Sequence, residues 1–65
     1  MRYYAITDNM TQAVLRLRDN LQDYQDYGVR VPAPGGGWAW GWIETERPLT
    51  PGLPGALGLV PVPAV

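Results

Sequence analysis

Gly35-Gly36-Gly37-Trp38-Ala39-Trp40-Gly41-Trp42-Ile43-Glu44 holds all three tryptophans of the chain, at every second position. Side chains alternate between the two faces of a strand, so this spacing predicts Trp38, Trp40 and Trp42 in a row on one face. Ala39, Gly41 and Ile43 then occupy the other face, where small residues let a helix approach closely. Three indoles on one face exceed what one short helix can cover, because a tryptophan carries about 150–250 Å² of surface. The expectation is that Ala39, Gly41 and Ile43 face the helix and the indoles face outward.

Upstream, Arg2–Thr7 is rich in strand-favouring types (Tyr3, Tyr4, Ile6, Thr7) and reads as a first strand. Asp8 or Asn9 offers a side-chain oxygen for a helix start. Met10, Val14, Leu17, Leu21 and Tyr24 follow at spacings of four, three, four and three, with Ala13 beside them. That stripe predicts an amphipathic helix over 9–27, ended by Gly28 in the left-handed conformation. Val29-Arg30-Val31 reads as a short second strand stopped by Pro32, and Pro32–Gly37 as a loop. The order strand, helix, strand, strand predicts an α+β domain, residues 1–47, with one helix on a three-stranded sheet. Placing the long tryptophan strand in the middle makes every pairing antiparallel.

From Pro48 onward the composition changes. Prolines at 48, 51, 54, 61 and 63 and glycines at 52, 55 and 58 argue against helix and central strand. The segment has no charged side chain yet carries Leu49, Leu53, Leu57, Leu59, Val60, Val62 and Val65. It reads as an extended apolar tail, 48–65, suited to lying along a groove or sheet edge of another molecule. Folding back over its own sheet is the alternative.

With 65 residues and no cysteine or histidine, the chain has neither disulfides nor the common zinc ligands to support a small core. A domain of this length buries only about 60 % of its unfolded surface. Self-association or a partner is therefore expected to supply the remainder. Residues Met1–Asp8 hold no apolar run of signal-peptide or anchor length, and the prolines rule out a spanning helix in the tail. These features set the cytoplasm (a host's, for a phage protein) or the interior of a virion as the expected location.

Chemistry is sparse. Serine, lysine, histidine and cysteine are all absent, which removes the usual nucleophiles and near-neutral bases. Glu44 and Glu46, two apart on a strand and so about 7 Å from each other, are the one carboxylate pair with acid–base spacing. No enzyme activity, cofactor or metal is expected. A different feature stands out on the predicted helix, where Leu15 lies opposite the apolar stripe beside Asp19, Gln22 and Asp26. Asp23 and Asp26 would occupy the last turns, where the helix dipole disfavours anions by about 0.3–1 kcal/mol. This acidic face, with Leu15 in it, suits contact with a basic protein surface.

Ala39-Trp40-Gly41-Trp42-Ile43 resembles the aromatic-Gly-aromatic-Ile strand on which cold-shock-type barrels stack bases, with Ala39 where that family has glycine. The resemblance covers five residues and implies single-stranded nucleic-acid binding. The net charge of −1 supplies no electrostatic half to such a groove. Nucleic acid is accordingly the third reading. The first is a small non-catalytic protein-binding factor of the kind phages and mobile elements encode, an inhibitor or adaptor. The second is an accessory subunit of a larger assembly, anchored by its tail. The residues expected to meet a partner, another protein or a second copy, are Leu15, Asp19, Asp23, Asp26, Trp38, Trp40, Trp42, Leu53, Leu57 and Leu59.

Overall fold

In the computed structural model, which describes residues 1–33 and 36–62, the tryptophan strand is the third of four. The elements run β1 (Arg2–Ala5), α1 (Met10–Leu17), a 3-10 turn (Arg18–Asn20), β2 (Leu21–Pro32), β3 (Trp38–Thr45), α2 (Leu53–Ala56) and β4 (Leu59–Pro61). One antiparallel sheet has the order β2-β3-β1-β4, with α1 and its 3-10 turn packed on it. The class is α+β, and β3 lies between β1 and β2 with antiparallel pairings, as its length and apolarity imply. The expected loop at Pro34 and Gly35 and the end of the expected tail, 63–65, lie outside the described residues.

The core forms on the small-residue face of β3. Ala39, Ile43 and Thr45 are buried, together with Tyr3 and Ala5 from β1, Met10, Ala13 and Leu17 from α1, and Leu59 from β4. Gly41 belongs to the same face. A Cβ there would fall on the Gln25 carbonyl oxygen and 3.1 Å from Met10 Cε, so glycine lets both β2 and α1 close on the strand. Thr45, the one buried polar side chain among the described residues, donates from Oγ1 to the Arg47 carbonyl at 2.7 Å. Asn20 fastens the same strand end. Its Oδ1 accepts from the Arg47 amide at 2.9 Å and its Nδ2 donates to the Arg47 carbonyl at 3.0 Å.

Two expectations are corrected. The helix stops at Leu17, with the 3-10 turn running to Asn20, and residues 21–27 are strand. The spacing was misleading because β2 is bulged: Leu21 pairs with Thr45 and Asp23 with Glu44, leaving Gln22 as the extra residue. The bulge resets the alternation, so Leu21 and Tyr24, three apart, face the same side of a strand as they would on a helix. Gly28 does take a positive φ of 75°. It does so in a second irregularity between Asp26 and Val31 rather than at a helix end. There its amide donates to Asp26 Oδ1 at 2.9 Å.

The second correction concerns the tail, and with it the three-stranded sheet. Residues after Arg47 fold back and add a fourth strand, with β4 pairing Leu59 to Ala5, Val60 to Tyr4 and Pro61 to Tyr3. Pro61 is tolerated because β4 is an edge strand. α2 is a single turn that opens on Leu53 and Pro54, the first-turn positions where proline's missing N–H costs nothing. Leu59 is 3 % exposed, and Leu49, Leu53 and Leu57 pack against the core cluster. Two bonds tie the first strand to residues after Arg47: Tyr3 Oη accepts from the Leu49 amide at 2.9 Å, and Val62 N donates to Arg2 O at 2.9 Å.

Candidate binding surface

The pleat sends Trp38, Trp40 and Trp42 to the face of β3 opposite α1. Burial along the strand alternates accordingly: Ala39, Gly41, Ile43 and Thr45 are buried, Trp38 is 53 % exposed, and Trp40, Trp42 and Glu44 are half-buried. Trp40 also touches the core cluster, which fixes the middle of the row. Register extends the surface across the sheet. Trp42 is paired with Tyr4 on one side and Gln25 on the other, and Tyr4 with the exposed Val60.

Charge sits at the two ends of this outer face. At one end Arg2 lies over the Trp42 ring, its Cζ 4.0 Å from the centroid, and donates from Nε to Glu44 Oε1 at 3.1 Å. The N-terminal ammonium meets Glu44 Oε2 at 2.7 Å. The hydrogen bond from that ammonium, then the one from Arg2, holds the Glu44 carboxyl below the usual carboxylate range despite partial desolvation. Asp23, paired with Glu44 across the ladder, stands at the same end. At the other end the Arg30 guanidinium lies 5.4 Å from the Trp38 ring centroid. Each cation–π contact is of the size expected at a wet surface, about 0.5–1 kcal/mol.

The remaining sequence-derived residues do not gather here. Asp19 is in the 3-10 turn, Asp23 on the outer face of β2, and Asp26, paired with Gly41, on the inner face. The acidic helix face expected from 9–27 therefore does not exist, since the chain is a strand where two of its carboxylates lie. Leu15 is 59 % exposed and lines a shallow groove of about 220 Å³ between α1 and β2, with Met10, Tyr24 and Asp26 among its walls. Leu59 is core, and Leu53 and Leu57 are half-buried against it. Tyr4, Val60, Arg2 and Arg30, which join the tryptophans, were not singled out from sequence. Their positions depend on register and on β4, and no local spacing announces either.

Glu46 lies past the end of β3 at Thr45, and Glu44 is held by the N-terminal ammonium and Arg2. Among the described residues no three acidic side chains come close enough to hold a metal ion, and no helix is long and apolar enough to cross a membrane. No protein-family model, curated protein or solved structure matches the chain.

Proposed function

We propose that the protein is a small non-catalytic binding protein, acting as an inhibitor or adaptor, whose working surface is the outer face of the sheet. The observation that supports this is the placement of Trp38, Trp40 and Trp42 opposite the core, on a face that no described element covers. Tryptophan is costly to leave against water, and rigid aromatic side chains dominate binding surfaces. An aromatic row flanked by Arg2 and Arg30 has the composition of an interface centre: aromatics and arginine, with lysine absent.

The proposal departs from the acidic-helix reading, and it does not use the tail as an anchor, because Leu53, Leu57 and Leu59 contribute to the chain's own core. Substitution tests it. Trp38→Ala and Trp42→Ala are expected to keep the wild-type circular dichroism spectrum and to weaken association at least tenfold, read by titration against whichever protein the wild type binds. Loss of the folded spectrum in both variants would place these indoles in the core and remove the basis of the proposal. Undiminished binding by both folded variants would do the same.

A further inference from the structure

We infer that the occupant of the outer face is a second copy of this chain, docked sheet to sheet about a two-fold axis that crosses the strands near Gly41. This rests on reading the outer face as the binding surface, and it adds the partner and the register.

Charge selects the partner. Asp23 and Arg30 both belong to β2, on the outer face, and neither makes an ion pair among the described residues. They have opposite signs and stand at opposite ends. Asp23 is level with Glu44, while Arg30 precedes the Val31–Ala39 pair and carries its guanidinium to the Trp38 ring, which puts the two charges roughly 15–20 Å apart along the sheet. A two-fold axis in the plane between the sheets, perpendicular to the strands, lays β2 over β2 in the opposite direction. Each Arg30 then meets the partner's Asp23, twice per dimer. The same rotation about Gly41 exchanges positions 40 and 42, so Trp40 faces the partner's Trp42 and the indoles interleave at the centre. An axis along the strands would instead reverse the strand order and lay β2 over the partner's β4, which has no charged side chain, leaving Asp23 and Arg30 without an opposite charge. The surface is thus complementary to itself in one orientation, as an isologous interface requires.

Area sets the expected strength. Strands of twelve, eight, four and three residues, about 4.8 Å apart and about 3.3 Å per residue, give a face of roughly 400 Å² before side-chain relief is added. Two such faces bury about 800 Å² in total, the size of a weak, reversible contact. Single-stranded nucleic acid fits less well, because Glu44 and Asp23 stand on the same face and the chain is net acidic.

The test is the mass of the full chain by sedimentation across sub-micromolar to millimolar concentration, with charge variants. The wild type is expected to rise from 7.2 kDa toward twice that value, with a midpoint in the micromolar range. Arg30→Glu and Asp23→Arg are each expected to raise the dissociation constant at least tenfold, and the double variant, which restores opposite charges across the axis, to recover most of that loss. Both positions are exposed, so folding is expected to survive, and circular dichroism checks it. A constant 7.2 kDa overturns the dimer, as does a dimer indifferent to both single variants, or salt-dependent binding of an oligodeoxythymidine that quenches the tryptophans of a monomer. If the chain stays monomeric while Trp38→Ala still abolishes binding of another protein, the dimer fails and the outer face remains the binding surface.

Discussion

Individual residues show how this small fold closes. Tyr3 is both core and clasp: its ring is buried, and its hydroxyl accepts from the Leu49 amide 46 residues away. Tyr3→Phe keeps the ring and orphans that amide. It is expected to lower unfolding free energy by about 1–2 kcal/mol in urea titrations, with faster hydrogen exchange at Leu49. Glu44 gives the pH signature. Its carboxyl is depressed in the folded state, so the contribution is fully present above the unfolded glutamate value of about 4.3 and is lost as pH falls through the lower folded value. The melting temperature of the wild type should therefore exceed that of Glu44→Gln at pH 6, with the gap closing toward pH 2.5. A gap that does not depend on pH would show that neither cation acts on Glu44 in solution.

At the scale of elements, the fourth strand is the least expected part and the most necessary. β4 brings Leu59 into the core beside Ala5, and among the described residues three of the eight buried apolar ones are alanines, which leaves little else to fill that space. Leu59→Ala is expected to cost about 2–5 kcal/mol, read from the urea midpoint, a large share of what a 65-residue chain possesses. A cost under 1 kcal/mol would mean that β4 is not held in place. The sequence displayed the tryptophan strand, its central place in the sheet and the outward indoles, because period-two spacing is a local signal. It also displayed α1 through Met10, Ala13 and Leu17. It hid where the helix ends, because the bulge at Gln22 makes Leu21 and Tyr24 of β2 repeat a helical interval. It hid β4 because proline and glycine enrichment describes an edge strand and a one-turn helix as readily as a tail. Of the candidate surface, the tryptophans were legible. Their neighbours Tyr4, Val60 and Arg30 were not, since cross-strand pairing is a long-range property.

For the whole molecule, the radius of gyration of 10.6 Å matches the roughly 11 Å expected of a folded domain this long, so the chain folds back on itself rather than trailing a tail. Among the described residues, α1 and α2 both pack on one side of the sheet. The other side is aromatic and bears an ammonium, arginines and carboxylates only toward its ends. The proposed binding role rests on that imbalance: the described chain completes one core and leaves an aromatic face open on the other side of the sheet. Acrylamide quenching of tryptophan fluorescence as a function of protein concentration tests it most directly. The account predicts indoles open to the quencher below micromolar concentration and progressively shielded as concentration rises through the micromolar range. Indoles equally shielded at every concentration would contradict it, because they would then lie in the chain's own core.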